Sequence, residues 1–494
     1  MAKIHRVPVD LGHTLDDYAA DPALAPWIDR LRGRAAAYAP RLRGRTVWMV
    51  NSTATGGGVA EMLPREVSLL RQLGVRAEWV VIVPGDPDFF RLTKRLHNLL
   101  HGQPAGSLGP DDAALYARES EALGDALATA LGPTDLLVVH DPQPLGAGAV
   151  VARRCHIPAL WRCHIGLDRT TPETEAAWAF LRPWLAPYQR ALFSLPAYVP
   201  AFLAGRSGVL SPGIDPLATK NRPLDVPTVA DGLARAGLAP APPSIGAPPS
   251  AAPVLRLQPD GEFRPSESPS PLALPFRPSI LQVSRWDRLK GFAPLLTGFQ
   301  RLRQEPGTFA PTAVDLVAET RLLLAGPDPR GVADDPEGAD VLADIVAAYR
   351  ALSPADRAAV AVLLLPMADP EDNARLVNVL QRSATVVAQN SLEEGFGLTV
   401  TEAMWKSRPV VAGAAAGPRA QIDPERTGWL VDRPDDPAAV ARTLGAALAD
   451  ATERERRARA AHRAVWERFL LFRAVERWLE ELAALAGASK TAVP

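Results

Sequence analysis

The sequence predicts an α/β protein with two domains, each built around a parallel sheet. Its 494 residues exceed one ordinary hydrophobic core and fit two domains of about 200 residues each. In both halves, short apolar runs alternate with longer helical patterns, which is typical of parallel strands joined by crossover helices. A proline-rich stretch separates the halves. We therefore expect domains at residues 1–220 and 279–451, joined by a linker or insertion at 221–278.

The first half contains four predicted strands and three predicted helices. The apolar runs predict strands at Thr46–Val50, Ala77–Val83, Leu136–His140 and Ala159–His164. The helical patterns run from Val59 to Leu73, from Asp112 to Leu131 and from Thr174 to Pro187.

The second half repeats this plan. Its predicted strands are Ser279–Ser284, Arg321–Ala325, Val360–Leu365 and Ala384–Ala388, and Leu398–Trp405 is predicted to open a helix. One helix follows Pro437, and a long charged helix is predicted through Thr452–Ala486.

The join between the halves is rich in proline. Residues 239–278 hold 12 of the 49 prolines of the chain. A segment of this composition buries little apolar surface and is typical of a linker or a surface excursion. We expect Ala239–Ala252 and Ser266–Leu274 to be poorly ordered.

Composition narrows the classes of function. A net charge of −1 argues against a nucleic-acid or anionic-membrane surface. No apolar run reaches the 18 or so residues of a membrane helix, and the amino terminus lacks the apolar core of a signal peptide. Cys155 and Cys163 are too few for a disulfide framework in a chain this long. We expect a soluble, cytoplasmic protein.

The most informative motif places Glu394 and Glu402 eight positions apart across a glycine-bracketed loop. A predicted strand precedes the loop and a helix begins at Leu398, so backbone N–H groups and the positive end of the helix dipole form an anion site. Carboxylates on either side bind hydroxyls. This arrangement fits a nucleotide sugar. The alternative is an ordinary helix start with two glutamates.

A second motif, Ser284-Arg285-Trp286-Asp287-Arg288-Leu289-Lys290-Gly291, follows a predicted strand. Arg285 leaves the strand end and Lys290 begins the next helix, where the anionic ligand of a doubly wound fold lies. These two cations would stabilise a diphosphate leaving group. A solvated basic turn is the alternative for this motif taken alone.

Three motifs lie at the ends of strands in the first half. The glycines Gly56–Gly58 open a helix and allow close approach of a ligand, although such a run is more often only a tight turn. His140-Asp141-Pro142-Gln143-Pro144 supplies a carboxylate and an amide. His164 ends another strand, where a structural histidine is the main alternative to a ligand contact. The spacing of the Cys-His pairs argues against zinc.

Together these motifs look like those of the retaining family 4 glycosyltransferases, and among them the trehalose glycosyltransferring synthases. The matching segments are 56–61, 90–98, 140–144, 161–165, 214–217, 282–285 and 394–405. The resemblance covers about residues 47–432. It departs at 222–278, which is longer here, at Gly166, where relatives tend to carry Asp, and at Ala414–Pro418.

The resemblance implies a GT-B fold, with two Rossmann-like domains facing across a cleft. The domain at 1–220 would bind the acceptor and the domain at 279–451 the donor. The C-terminal helix, residues 452–494, would cross back to the N-terminal domain. The oligomeric state is left open, a homodimer included.

The resemblance also implies roles for individual residues. The implied catalytic residues are His164, Arg285, Lys290 and Glu394. The implied donor-binding residues are Gly57, Gly58, Gly397, Leu398, Thr399 and Glu402. Asp141 and Gln143 would orient the acceptor. No metal site and no required cofactor are expected, with Mg²⁺ at most a stimulant.

The implied reaction moves glucose from ADP- or UDP-glucose to the anomeric hydroxyl of glucose, reversibly and with retention, forming trehalose. The alternatives are a retaining trehalose phosphorylase, another family 4 hexosyltransferase, a sugar-nucleotide epimerase and a non-catalytic nucleotide-sugar sensor. The choice between ADP and UDP is left open.

Overall fold

The computed structural model of the chain describes residues 2–10, 12–54, 57–239, 252–265, 277–331 and 337–488. It divides into two compact units. The first contains Met1–Asp215 and Phe469–Pro494, and the second contains Pro216–Arg468. The chain therefore leaves the first unit once and returns to it near its carboxyl end.

The first unit contains a sheet that has seven strands among the described residues. They are β1 (Lys3–Arg6), β2 (Val47–Asn51), β3 (Ala77–Val83), β4 (Leu136–His140), β5 (Ala159–Cys163), β6 (Arg190–Phe193) and β7 (Ser207–Val209). Their order is β1-β3-β2-β4-β5-β6-β7. β1 is antiparallel to β3 and the other neighbours are parallel. The four predicted strands are thus present, within one residue of their expected bounds.

Helices cover both faces of a parallel sheet, which is why strands such as β2, β4 and β5 are buried along their whole length. Up to residue 215 the helices are α1 (Leu15–Ala19), α2 (Ala25–Tyr38), α3 (Gly57–Gln72), α4 (Asp88–Leu100), α5 (Pro110–Ala128), α6 (Leu145–Cys155) and α7 (Pro172–Leu185).

The second unit contains a sheet that has eight strands among the described residues. They are β8 (Leu255–Leu257), β9 (Phe263–Pro265), β10 (Ser279–Val283), β11 (Arg321–Pro327), β12 (Val360–Leu365), β13 (Val386–Gln389), β14 (Val410–Gly413) and β15 (Trp429–Val431). Their order is β15-β14-β13-β10-β11-β12-β8-β9. The strands from β10 to β15 are parallel, whereas β8 and β9 form an antiparallel edge.

Eleven α-helices of the second unit lie in the described ranges. They are α8 (Val226–Arg235), α9 (Phe292–Gln304), α10 (Pro306–Phe309), α11 (Val314–Glu319), α12 (Glu337–Ala351), α13 (Pro354–Arg357), α14 (Pro370–Ser383), α15 (Leu398–Trp405), α16 (Ala416–Gln421), α17 (Pro437–Ala449) and α18 (Ala451–Arg468). The helix predicted to open at Leu398 begins at that residue.

The predicted C-terminal helix is two helices that belong to different units. α18 ends at Arg468 in the second unit, and α19 (Leu471–Ala488) lies in the first. At the break, the N–H of Ile214 donates to the carbonyl of Phe469, and the N–H of Leu471 donates to the carbonyl of Ile214, both at 2.9 Å. These bonds replace intrahelical ones, so the helix stops. The part that packs on the first unit is therefore α19 alone, not residues 452–494.

Part of the predicted linker at 221–278 is structured and belongs to the second unit. β8 pairs with β12, and Arg235 of α8 donates to Asp372 of α14 at 2.7 Å. A linker was expected because the prolines dominate the composition, but the short apolar runs between them join the sheet. The segments expected to be poorly ordered lie almost wholly outside the described residues. No described helix is long and apolar enough to cross a membrane.

Candidate active site

The Glu394 loop and the Lys290 turn meet at the carboxyl ends of neighbouring strands in the second unit. Lys290 lies beyond β10 and Glu394 beyond β13, and these two strands are paired. Nζ of Lys290 donates to Oε2 of Glu394 at 2.6 Å, and the two side chains are 17% and 11% exposed. Ser391 Oγ donates to the same carboxylate oxygen at 3.1 Å. Two predicted catalytic residues, 104 positions apart, thus form one partly buried ion pair.

Buried amides hold the turn and the loop together. Gln282, on β10, donates through Nε2 to the carbonyl of Lys290 and accepts from the N–H of Asn390, both at 2.8 Å. Asn390 donates through Nδ2 to the carbonyl of Gly291 at 3.2 Å. Gln282 and Asn390 were not among the predicted site residues. A polar residue inside an otherwise apolar strand is the signal that could have identified Gln282, since buried amides require partners.

The approach to α15 requires glycine. Gly397 caps the helix with φ +85°, a left-handed conformation that glycine adopts readily. A Cβ at this position would lie 3.0 Å from Cγ of Glu394. Leu398 and Thr399 follow as the first two helical residues, whose N–H groups have no partner within the helix. The predicted anion site therefore has the expected local structure.

Glu402 lies inside α15 and is 6% exposed. Its Oε1 lies 3.8 Å from Nζ of Lys220. One turn further on, buried Lys406 donates to the carbonyl of Glu402 at 3.3 Å and to Oε1 of Gln381 at 2.6 Å. The carboxylate of Glu402 therefore lies near Lys220, whereas that of Glu394 is paired with Lys290. Arg285 is exposed beyond the end of β10.

In the first unit, Asp141 and His164 meet at the ends of β4 and β5. The N–H of His164 donates to Oδ1 of Asp141 at 2.7 Å, and the N–H of Asp141 donates to the carbonyl of Arg162 at 2.8 Å. Asp141 has φ +64°, an uncommon conformation for a residue other than glycine. Burial raises its pKa to about 6. At least one oxygen of Asp141 is thus used to hold the backbone of His164.

The ring of His164 contacts a second histidine. Nε2 of His164 lies 2.9 Å from Nδ1 of His140, and the two rings are stacked. Burial, together with the positive charge of Arg162, lowers the pKa of His164 well below its ordinary value and that of His140 to about 3. Both rings are therefore neutral near pH 7. His140 was not among the predicted site residues.

The other predicted site residues of the first unit make fewer contacts that indicate a role. Oε1 of Gln143 is buried and has no hydrogen-bond partner in the described parts of the chain. Gly57 and Gly58 open α3, while Thr55 and Gly56 lie outside the described residues. At Gly166 a Cβ would lie 2.5 Å from Cγ of Tyr198, so a larger residue here would require Tyr198 to move.

Within the described ranges, no three His, Cys, Asp or Glu side chains lie close enough together to hold a metal ion. Cys163 is buried, and its Sγ donates to the carbonyl of Ile165 at 3.2 Å. Cys163 thus contributes a packing contact and one weak hydrogen bond.

Comparison with known proteins identifies relatives over nearly the whole chain. Residues 49–200 match the family model of the trehalose synthase N-terminal domain, and residues 365–464 match that of the group 1 glycosyl transferases. The trehalose synthase of Pyrococcus horikoshii is 34% identical over 91% of this chain and 92% of its own length. That of Thermococcus litoralis is 32% identical over 90% and 92%.

The chain is also similar to a more distant relative and to a solved structure. A trehalose phosphorylase of Grifola frondosa is 28% identical over 89% of this chain but only 57% of its own length. Among solved structures, the UDP-forming α,α-trehalose-phosphate synthase of Burkholderia xenovorans, in complex with glucose-6-phosphate, has a TM-score of 0.63 at 16% identity. It covers 90% of this chain and all of its own. This likeness shows that the fold is GT-B.

Proposed function

Since the chain belongs to the trehalose synthase family of glycosyltransferases, we propose that it transfers glucose from ADP- or UDP-glucose to the anomeric hydroxyl of free glucose, with retention. The product is trehalose and the reaction is reversible. The enzyme class, a trehalose-forming glycosyltransferase, follows from membership of the family. The donor, the acceptor and the role of each residue are part of the proposal.

The ion pair between Lys290 and Glu394 is the observation that best supports the proposal. It brings a cation and a carboxylate together beside the N-terminus of α15, which can bind an anion. A nucleoside diphosphate sugar has a diphosphate next to a ring of hydroxyls. Lys290 would bind the diphosphate, and Glu394 would accept hydrogen bonds from the hydroxyls of the transferred glucose.

The remaining donor contacts follow the same chemistry. Arg285 and the N–H groups of Leu398 and Thr399 would share the diphosphate charge with Lys290. Glu402 would accept hydrogen bonds from the ribose hydroxyls. Because fixed cations neutralise the leaving group in this scheme, the reaction would not require a metal ion. Mg²⁺ could still stimulate it.

In the first unit, His164 would contact the transferred glucose, and Asp141 and Gln143 would orient the acceptor. Gly57 and Gly58, at the start of α3, would let the backbone approach the donor. Retention would result from attack on the same face that the leaving group departs from. The departing diphosphate oxygen would take the proton of the acceptor hydroxyl as the new glycosidic bond forms.

Product analysis tests the proposal. The protein is incubated with glucose and either ADP-glucose or UDP-glucose, and the sugars are identified by NMR. We expect trehalose together with the free nucleoside diphosphate. The matched control is Glu394→Gln, which keeps the shape of the side chain and should form trehalose far more slowly.

Two other outcomes would contradict the proposal. Trehalose cleavage that requires inorganic phosphate, and proceeds with neither ADP nor UDP, would identify a phosphorylase. Conversion of the nucleotide sugar without a disaccharide would identify an epimerase. In a phosphorylase, which binds phosphate in place of the nucleoside diphosphate, Glu402 would have no ribose to bind.

A further inference from the structure

We propose that His140 is a positioning residue that fixes the ring of His164, leaving Nδ1 of His164 as the nitrogen that contacts the transferred sugar. This inference rests on the proposed function, because the sugar contact of His164 belongs to it. The role of His140 stands on a separate set of contacts. It can therefore be tested separately.

The contact between the two rings is well defined. Nδ1 of His140 and Nε2 of His164 are 2.9 Å apart, with ring centroids 5.2 Å apart and ring planes at 15°. His140 is the last residue of β4, and His164 follows the last residue of β5. The pairing of these strands brings together two histidines that are 24 positions apart.

The surroundings of His140 leave its ring little freedom. In the register of β4 and β5, His140 pairs with Arg162, so their side chains share a face of the sheet. Arg162 is fully buried and donates to the carbonyl of Leu210 at 2.6 Å. Trp478 of α19 covers the same face, 6.0 Å from His140 between ring centroids. Trp478 is itself held by Glu66, to which its Nε1 donates at 3.0 Å.

The state of the rings follows from this environment. Burial next to the positive charge of Arg162 keeps both imidazoles neutral near pH 7. In a hydrogen bond between two neutral imidazoles, one ring donates and the other accepts. The tautomers of the two rings are therefore coupled, and Nε2 of His164 is occupied whichever ring donates.

The other nitrogen of His164 is the one left for a ligand. Nδ1 is buried and makes no hydrogen bond to any part of the chain that the structure describes. A buried polar atom without a partner is costly, so a ligand hydroxyl that reaches it would relieve this cost. Sugar hydroxyls both donate and accept, and can pair with Nδ1 in either tautomer. Asp141 fixes the backbone of the same residue through the N–H of His164.

A matched pair of variants tests the role of His140. In His140→Asn, the amide can place a polar atom where Nδ1 of His140 lies. In His140→Gln, the amide extends toward the position of Nε2 instead. With nucleotide-sugar and glucose, we expect kcat of His140→Asn to stay within about threefold of wild type. We expect kcat of His140→Gln to fall at least tenfold, with little change in the KM for the nucleotide sugar. Melting temperatures of both variants show whether each folds.

Nitrogen-15 NMR of the histidine side chains gives a readout independent of catalysis. In the wild type, we expect His164 to populate one neutral tautomer, and to keep it in His140→Asn. In His140→Gln, the tautomers should become mixed. A mixture in the wild type would overturn the proposal even if neither variant folds. So would equal kcat values in two folded variants. If the wild type forms no trehalose, the proposed function fails, and the NMR spectra then decide the role of His140.

Discussion

Lys290 and Glu394 each have a predicted role towards the donor, and the structure shows that each is also the counterion of the other. Removing one member of a partly buried ion pair leaves the other charge unpaired. A diphosphate that binds Lys290 would change the charge that Glu394 faces. Glu402 lies beside Lys220 instead, so the two carboxylates of the motif have different electrostatic partners. Their substitution should therefore have different consequences.

We expect Glu394→Gln and Glu402→Gln to affect different steps. Glu394→Gln removes a charge beside the sugar at which positive charge develops, so kcat should fall with little change in nucleotide affinity. Glu402→Gln removes charge-assisted hydrogen bonds to ribose, so ADP or UDP should bind more weakly by about 1–2 kcal/mol. Calorimetry with the free nucleoside diphosphate measures this difference, since that ligand has ribose and no glucose.

Glu393→Gln is the matched control for this pair, because it removes the same charge from the adjacent position of the loop. It should lower kcat less than Glu394→Gln does, and it should weaken nucleoside diphosphate binding less than Glu402→Gln does. Equal weakening of nucleoside diphosphate binding by Glu394→Gln and Glu402→Gln would show that the two carboxylates do not hold different parts of the donor. If neither variant differs from wild type, the motif is only a helix start.

At the scale of elements, sequence patterns predicted the helices and strands that are determined by residues close together in the chain. α15 begins at its predicted residue because Gly397 supplies the left-handed residue from which the helix starts. The break between α18 and α19 could not be predicted in this way. Helical periodicity continues through Phe469 and Leu470, and the break depends on bonds to Ile214, more than 250 positions earlier. β8 depends similarly on pairing with the distant β12, and β9 pairs in turn with β8.

In the candidate site too, features set by the local sequence could be predicted, and features set by contacts between distant residues could not. The positions of Lys290 and Glu394 at strand ends could be predicted, because such ends share an edge of a parallel sheet. The ion pair between them and the amide bridge of Gln282 could not, because they depend on side-chain directions across two strands. His140 was missed because it appears in the sequence as the last residue of an apolar strand.

The end of α15 contains a buried lysine that links three parts of the second unit. Nζ of Lys406 donates to Oε1 of Gln381 on α14 at 2.6 Å and to Oδ1 of Asn221 at 3.3 Å. It also donates to the carbonyl of Glu402. Burial is the main reason that the pKa of Lys406 is lowered from 10.5 to about 7, and the charge of Glu402 opposes this shift. Lys406 thus ties the helix that carries Glu402 to its neighbours.

We expect Lys406 to make the stability of the protein depend on pH above about 7. Between pH 7 and 10.5 the unfolded chain binds the proton of this lysine more tightly than the folded one, so folding becomes more favourable as pH rises. Between pH 7 and 9 this contribution is about 2–3 kcal/mol, at about 1.4 kcal/mol for each pKa unit. Lys406→Met lacks it. Denaturant unfolding at several pH values measures the free energy of unfolding of both proteins.

The wild type and Lys406→Met share all other titrating groups. The difference between their slopes of unfolding free energy against pH therefore reports on Lys406. Lys94→Met removes a lysine charge at an exposed position and is the matched control, with the slope of the wild type expected. If Lys406→Met has the same pH slope as the wild type between pH 7 and 9, the lysine does not lose its proton in that range.

At the scale of the whole molecule, the order of the chain makes the first unit depend on residues that follow the second unit in sequence. α19 packs against α2 and α3 through side chains that are fully buried, among them Phe472 and Trp478. Phe472 contacts Tyr18 edge to face at 5.0 Å between ring centroids. Glu476 accepts from Arg30 at 2.8 Å. The core of this unit is therefore incomplete until the chain has passed through the second unit.

We expect truncation after Arg468 to unfold the first unit. It removes Phe472, Trp478, Leu479 and Leu482, all with 0% exposure, and burying each large apolar side chain contributes about 1.5–3 kcal/mol. Their sum, about 6–12 kcal/mol, is comparable to the whole free energy of unfolding of an ordinary domain.

Removing only the residues after Ala488 is the control, and should leave the melting curve unchanged because it spares these side chains. Calorimetry should show one cooperative transition lost in the truncated protein, with that of the second unit retained. A truncated protein that keeps the full melting profile would show that the first unit folds without α19.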